Sequence, residues 1–273
     1  MDIRTIAVAI DLETPASPAL TAAIDLAQRC KAKLIGVAAD QPAVVGAGLD
    51  GGTAALDFYQ AELDEIQKRF KSAEKAFDVQ AGARPGAEWR SFVASPERAM
   101  IATGLSADLL VLPATISAVY GSPRPFDAGE VVLASGRPTI ALAASASKVS
   151  TDSIIIGWKD TREARRAVAD ALPFLRDAKD VLAITISEGN ADSEKQSLAD
   201  LVTWLDVHGV KARTERIENQ EGFIDVLEST ARARNADMIV TGGYGHSRMR
   251  EWLFGGMTRD LLEATDITRF FSN

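Results

Sequence analysis

Glycines are concentrated at two points of one segment near the end of the chain. Gly242-Gly243-Tyr244-Gly245 follows an apolar run, and nine residues later Gly255-Gly256-Met257-Thr258 opens a pattern typical of a helix. Glycine lets backbone N–H groups approach a ligand without an intervening Cβ. The first turn of a helix adds unpaired N–H donors and a positive dipole end. The spacing therefore predicts an anion site, most suited to phosphate, around Gly242, Gly245, Gly255 and Gly256.

Four polar side chains accompany this glycine loop. His246 and Arg248 lie inside it, Thr258 offers a hydroxyl at its end, and Lys159 follows an apolar run earlier in the chain. Cationic side chains suit phosphate, and a hydroxyl can donate to it. The alternative for the cations is a solvated position, and the alternative for the glycines is a turn that only packs.

Residues that would indicate catalysis or a metal centre are not arranged in a recognisable motif. The sequence has neither a Gly-x-Ser-x-Gly elbow nor a Gly-x4-Gly-Lys-Ser/Thr loop. Two histidines and one cysteine cannot supply a common transition-metal site by themselves. We predict no catalytic residue and no metal ligand.

Apolar runs and amphipathic stretches alternate along the first half, which predicts a parallel sheet with right-handed crossovers. Strands are predicted at 5–10, 34–38, 79–83, 108–112 and 139–143, and helices at 15–31, 54–77, 92–105 and 129–135.

The same order restarts after the small, polar stretch 145–150. Strands are predicted at 153–158, 181–186, 210–217 and 238–241, with a weak one at 267–271, and helices at 161–175, 194–208, 222–234 and 258–264. Ala107-Asp108 and Ala236-Asp237 each separate a helix from an apolar strand. This internal repeat predicts two tandem α/β domains, 1–145 and 151–273, each with a five-stranded parallel sheet.

Composition limits the classes of partner. The net charge is −8 with a sequence pI of about 5.0, which argues against nucleic acid and anionic membrane surfaces as partners. Cys30 is the single cysteine, so no intramolecular disulfide is expected. No apolar run approaches the roughly 20 residues of a membrane span, and the start of the chain is unlike a signal peptide. We predict a soluble, cytoplasmic protein.

Two segments of the second half resemble the universal stress protein family. They are 154–168, IIIGWKDTREARRAV, and 236–256, ADMIVTGGYGHSRMREWLFGG, which carries the G-x2-G-x9-G pattern. The resemblance implies a Rossmann-like sandwich similar to the adenine nucleotide alpha hydrolases. It also implies a glycine loop for ATP or a related adenine nucleotide, with Mg²⁺ as its possible companion, and a role in stress response or signalling without a defined reaction.

Three positions depart from the family pattern. Lys159 stands where an acidic residue usually ends the first strand, and Gly256 stands where a Ser or Thr hydroxyl is usual, a loss that Thr258 can offset. Arg269 interrupts the apolar last strand, which in the family often pairs domains. An ammonium at position 159 favours phosphate over ribose hydroxyls.

The first half lacks the loop. Alignment of the two Ala-Asp pairs places Pro113 and Ile116 opposite loop glycines, and Pro123 and Pro125 follow. Proline donates no N–H, and Asp127 near the anion position would repel phosphate. We expect no nucleotide in this half. Asp11, after its first strand, is expected to serve a turn.

Three functions remain open at this point. The favoured one is a stress-response module that binds one adenine nucleotide per chain and hydrolyses it slowly at most. The second is a scaffold that binds no nucleotide, and the third, least favoured, is an adenylating enzyme of a related fold. The two domains are expected to pack as a pseudo-dimer, and a homodimer of the whole chain is plausible.

Overall fold

A computed structural model of the chain describes residues 2–42, 52–82, 86–114, 126–187, 191–218, 223–243 and 266–273. In the first half these residues form nine β-strands and α-helices: β1 (Thr5–Ile10), α1 (Pro18–Arg29), β2 (Lys33–Asp40), α2 (Gly52–Ala81), β3 (Ala87–Val93), α3 (Pro96–Thr103), β4 (Leu109–Leu112), α4 (Ala128–Ala134) and β5 (Thr139–Ala141); a short 3-10 helix, Gly104–Ser106, follows α3.

In the second half they form eight more: β6 (Ser153–Gly157), α5 (Arg162–Asp177), β7 (Asp180–Ile186), α6 (Ala191–Val207), β8 (Arg213–Ile217), α7 (Phe223–Ala233), β9 (Met238–Gly242) and β10 (Thr268–Ser272). The helix predicted at 258–264 lies outside the described residues. None of the described helices has the length and apolar character needed to cross a bilayer.

All ten strands belong to one sheet, in the order β3-β2-β1-β4-β5-β10-β9-β6-β7-β8. Each half is a five-stranded parallel set with the same internal order, which confirms the predicted α/β fold class. The antiparallel pair β5–β10 joins the halves, and Ile140 faces Phe270 at its centre. The two predicted sheets are therefore edge to edge in a single continuous sheet.

Helices cover both faces of this sheet, which explains the unbroken apolar runs of the central strands. On one face, α1, α2, α5 and α6 cover a single core that includes buried residues from both halves. On the other face, the core under α3 and α4 is separate from the core under α7. The continuous core is consistent with the joining of the halves through β5 and β10.

The two Ala-Asp signals have the same structural role. The carboxylate of Asp108 accepts hydrogen bonds from the N–H groups of Arg4 and Thr5, both at 2.9 Å. The carboxylate of Asp237 accepts one from the N–H of Ser153 at 2.9 Å. Each aspartate therefore satisfies backbone donors at the start of the first strand of its half.

The expectation of a weak last strand is wrong. All five residues of β10 are buried, and the strand pairs with β9 on one side and β5 on the other. Arg269 is 3% exposed and forms an ion pair with Glu228 of α7, which also pairs with Arg232 at 2.9 Å. Because its charge is compensated, Arg269 can occupy a buried strand.

Two boundaries around the third strand are also wrong. The segment 79–81, predicted as a strand, is the last turn of α2, and Gly82 follows it with a φ of +64°. The strand forms later, as β3, so the helix predicted from residue 92 begins at Pro96. The Ser95 hydroxyl accepts a hydrogen bond from the N–H of Arg98 at 3.4 Å and caps that helix.

Candidate functional site

The carboxyl ends of β6 and β9 lie side by side, since these strands are parallel and Gly157 pairs with Thr241. On its other side β6 pairs with β7. The strands connected by crossovers therefore lie on both sides of β6, and the order of the strands reverses direction there. Such a switch point is where open α/β sheets bind ligands. We call the residues 157–161 and 241–243 the β6–β9 edge.

Two of the predicted site residues lie at the β6–β9 edge. Gly242 is the last residue of β9, and Lys159 is exposed in the turn between β6 and α5. Gly245, His246, Arg248, Gly255, Gly256 and Thr258 lie outside the described residues, so their place in the site stays a prediction.

Gly242 has a packing role of its own. A Cβ at this position would lie 2.5 Å from the backbone N of Ala164 and 2.6 Å from the carbonyl carbon of Glu163. Those atoms belong to the first turn of α5, which cannot move away without shifting the helix. Glycine is therefore required for the helix to approach the strand, with or without a ligand.

Gly243, the residue after β9, lies between β10 and the first half of the molecule. Its N–H donates to the carbonyl oxygen of Ser272 at 2.6 Å. A Cβ here would lie 3.2 Å from Val132 Cγ1 in α4 and 3.3 Å from Asn273 Cβ. The start of the glycine loop is thus positioned by both β10 and the first half.

The N-terminus of α5 lies at this edge and carries several charged side chains. Thr161 is the N-cap, and its hydroxyl oxygen accepts a hydrogen bond from the N–H of Ala164 at 3.2 Å. The segment 159–165 carries three cationic and two anionic side chains, and both anions are paired: Asp160 with Arg165 at 2.6 Å, and Glu163 with Arg162 at 3.1 Å. This small positive excess and the helix dipole both favour an anion.

Glu163, in the first turn of α5, is a site residue that the sequence reasoning missed. Burial opposes ionisation of its carboxyl, but a hydrogen bond from its own backbone N–H and the charge of Arg162 prevail, and its pKa is lowered. The sequence pattern that could have identified Glu163 is an acidic residue two positions after a threonine N-cap. Its backbone is also the surface against which Gly242 packs.

Trp158 is buried beneath this edge, which confirms the prediction of a packing role. Its indole N–H donates to the hydroxyl oxygen of Ser197 at 2.9 Å, and its carbonyl oxygen accepts a hydrogen bond from Thr185 at 2.9 Å. Trp252, assigned the same role from sequence, lies outside the described residues.

Lys159 corresponds to Asp11 of the first half. The N–H of Asp108 donates to Thr5 at 2.9 Å and that of Asp237 donates to Ser153 at 2.8 Å, and Asp11 and Lys159 each follow six residues after those acceptors. Asp11 accepts a hydrogen bond from the N–H of Glu13 at 2.9 Å. Its predicted turn role is confirmed.

The same edge of the first half is filled by its own charged side chains. Asp40, buried at the end of β2, forms an ion pair with Arg69 of α2, which also lies 3.7 Å from a carboxylate oxygen of Glu13. Burial raises the pKa of Asp40, and the nearby Arg69 guanidinium only partly offsets this. The positive charge of Arg69 thus lies next to two carboxylates of the protein itself, those of Asp40 and Glu13.

Asp127 occupies the helix N-terminus where an anion would bind in the first half. Its carboxylate accepts hydrogen bonds from the N–H groups of Gly129 at 2.9 Å and Glu130 at 3.2 Å. These are the donors that a phosphate would need. Within the described ranges, no group of three or more His, Cys, Asp or Glu residues is placed to hold a metal ion.

Solved structures share this fold along the whole chain. A universal stress protein from Archaeoglobus fulgidus DSM 4304 superposes with a TM-score of 0.70 at 13% identity, over 98% of this chain and 96% of that one. A protein of unknown function from Pseudomonas aeruginosa PAO1 gives 0.55 at 15% identity, over 99% and 92%. At these identities the likeness establishes the fold.

A third similarity covers only part of the chain and does not support a conclusion about which ligand this protein binds. A universal stress protein in complex with cAMP aligns with 53% of this chain and all of its own, at 24% identity and a TM-score of 0.35. No protein-family model and no curated protein matches the sequence.

Proposed function

We propose that the chain is a universal stress protein with two domains, 1–145 and 151–273, and that the second domain binds one adenine nucleotide, ATP or a relative. Its role is that of a stress-response or signalling module in the cytoplasm. The observation that carries the proposal is the β6–β9 edge, where Gly242 and the N-terminus of α5 meet at the switch point of the sheet. The shared fold supports it.

The glycine loop supplies the phosphate contacts in this proposal. Backbone N–H groups around Gly242, Gly245, Gly255 and Gly256 donate to phosphate oxygens, and the Thr258 hydroxyl adds a donor. His246, Arg248 and Lys159 supply positive charge. A Mg²⁺ ion, if it accompanies the nucleotide, is held chiefly by the phosphates. Hydrolysis is slow at most, because no motif supplies a general base.

Lys159 gives the site a preference within the adenine nucleotides. The acidic residue usual at this position suits ribose hydroxyls, whereas an ammonium attracts phosphate and repels no anion. We therefore expect affinity to rise from AMP to ADP to ATP.

The test begins with the protein as purified. Denaturation releases any bound ligand, and nucleotide chromatography with mass spectrometry identifies and counts it. The proposal predicts one adenine nucleotide per chain. Gly245→Val and Gly255→Val should each abolish binding, while Gly46→Val, a glycine of the first half, should leave it unchanged. Binding that survives both loop substitutions would refute the assignment to the glycine loop.

The scaffold alternative also has an observation in its favour. Gly242 is needed for the packing of α5 whether or not a ligand binds, so one motif glycine is explained without a nucleotide. An empty protein that gives no calorimetric response to millimolar ATP would establish this alternative. The predicted homodimer is tested separately, by light scattering on the full chain.

A further inference from the structure

Among the described residues, α5 and α6 enclose a cavity of about 350 Å³ beside the residue that follows β6. Two indole rings, those of Trp158 and Trp204, line it together with the aliphatic Val168 and Leu201. The described lining shares Trp158 and Asp160 with the β6–β9 edge, and its other members belong to α5 and α6. We call this space the α5–α6 cavity.

The polar groups of the α5–α6 cavity leave one charge uncompensated. Asp160 and Arg165 line the cavity but neutralise each other at 2.6 Å. Asp200 also lines it, and it accepts a hydrogen bond at 2.9 Å from the neutral amide of Gln196. The unbalanced charge of the described lining is thus the Asp200 carboxylate, and it favours a cation.

The aromatic part of the lining points to the same class of ligand. The indole N–H of Trp158 already donates to Ser197, so this largely buried residue adds aromatic surface to the lining and no free donor. Trp204 is 37% exposed and stacks on His208 with ring centroids 4.0 Å apart. Tryptophan is the strongest partner for cation–π contacts.

We infer that the α5–α6 cavity binds a small, flat organic cation, such as an aromatic ammonium compound. Its volume lies at the lower end of the range for small-molecule pockets, roughly 300–1,000 Å³. The ammonium group would lie near Asp200, and the apolar part would contact the indoles, Val168 and Leu201. This inference does not depend on nucleotide binding by the glycine loop.

On the corresponding side of the first half, the space beside α2 has a lining without aromatic residues: Ala16, Ser72, Lys75, Ala76, Val79 and Gln80. Four side chains of α2 are buried in the core there: Ile66, Phe70, Ala73 and Phe77. The ring of Phe77 contacts that of Trp89, with centroids 5.6 Å apart. The first half therefore supplies an internal control, because Trp89 should not respond to a ligand of the α5–α6 cavity.

Benzyltrimethylammonium is a suitable probe, with benzoate and benzyl alcohol as anionic and neutral controls. The full chain has four tryptophans, whose indole N–H resonances are assigned by substitution in ¹H–¹⁵N spectra. We expect saturable shifts of the Trp158 and Trp204 resonances with the cation, and none at Trp89. Equal responses to benzoate, or no saturable shift, would overturn the inference.

Substitutions in α6 test the two parts of the site. Asp200→Asn should weaken cation binding about threefold, the scale of an exposed ion pair, whereas Asp206→Asn on the same helix should not. Trp204→Leu should weaken it about tenfold, and Trp204→Phe should restore most of the affinity. Both residues lie at the surface, and circular dichroism checks the fold. Equal effects of the two Asn variants would contradict the assignment.

Discussion

The two halves of the molecule have the same strand order but different contents at the carboxyl edge of the sheet. In the first half, Asp40 and Glu13 face Arg69, and Asp127 takes the donors of its own helix. In the second half, the β6–β9 edge carries a glycine under a helix N-terminus and a small positive excess. The same edge of one fold thus holds internal ion pairs in the first half, and in the second half it is the proposed ligand site.

The two strands that join the halves, β5 and β10, also differ in the charge that they bury. Along β5 and β10, Thr139 pairs with Phe271 and Ala141 with Arg269. The second half therefore buries an arginine in the strand that joins the halves, and it must supply Glu228 to compensate the charge.

Removal of Glu228 should give the largest loss of stability. Glu228→Ala removes the ion-pair partner of the buried Arg269, and breaking a buried ion pair by removing one side chain costs about 3–5 kcal/mol of unfolding free energy. Urea denaturation measures it. Asp25→Ala, which breaks an exposed pair with Arg29, should cost about 0.5 kcal/mol. If the added substitution Arg269→Met does not recover stability in Glu228→Ala, the buried charge is not the cause.

Gly242→Val should destabilise the protein without any ligand present. The new side chain would overlap the first turn of α5, and forced overpacking costs about 1–3 kcal/mol. Pro113→Val, at the corresponding position of the first half, should change the unfolding free energy much less. Thermal and urea unfolding measure both changes. Similar losses of unfolding free energy in the two variants would contradict a packing requirement specific to Gly242.

Two carboxyls, one in each half, should give opposite pH dependence. Burial raises the pKa of Asp40, so its ionisation opposes folding, and Asp40→Asn should gain stability relative to wild type as the pH rises above 3.8. Arg232 lowers the pKa of Asp266, so Asp266→Asn should lose stability relative to wild type over the acid range as the pH rises.

The measurement for this pair is the unfolding free energy of each variant and of wild type between acid and neutral pH. The differences from wild type should have slopes of opposite sign. Slopes of the same sign would show that the charges around Asp40 and Asp266 are balanced in a similar way.

The smallest effect concerns Lys159. Lys159→Ala should weaken ATP binding about fivefold, because one exposed charge near phosphate contributes up to about 1 kcal/mol. Lys179→Ala, which removes a cation paired with Asp152 at 2.7 Å, is the matched control and should have no effect. Affinity that is unchanged in Lys159→Ala would place the phosphates away from the turn after β6.

The buried elements were predictable because their sequences are uniformly apolar, as in β1, whose predicted and observed limits coincide at Thr5 and Ile10. The third strand was misplaced because β3 mixes charged and apolar residues, with Glu88 and Arg90 in a strand at the end of the sheet. A local pattern cannot distinguish such a strand from a loop.

Site features that depend on distant partners were beyond the sequence. The sequence predicts that Arg269 weakens its strand, because its partner Glu228 is 41 residues away in the chain and no local pattern indicates the pair. The glycines and Lys159 were found from spacing, but the approach of α5 to Gly242 is a tertiary contact. The α5–α6 cavity likewise depends on how two helices meet.

The central claim, that only the second half binds a nucleotide, is tested most directly by the number of ATP molecules bound per chain. Isothermal titration calorimetry on nucleotide-free, full-length protein measures this number. We expect one ATP per chain in the wild-type protein and none in Gly255→Val. Two ATP molecules per chain, or one that persists in Gly255→Val, would contradict it.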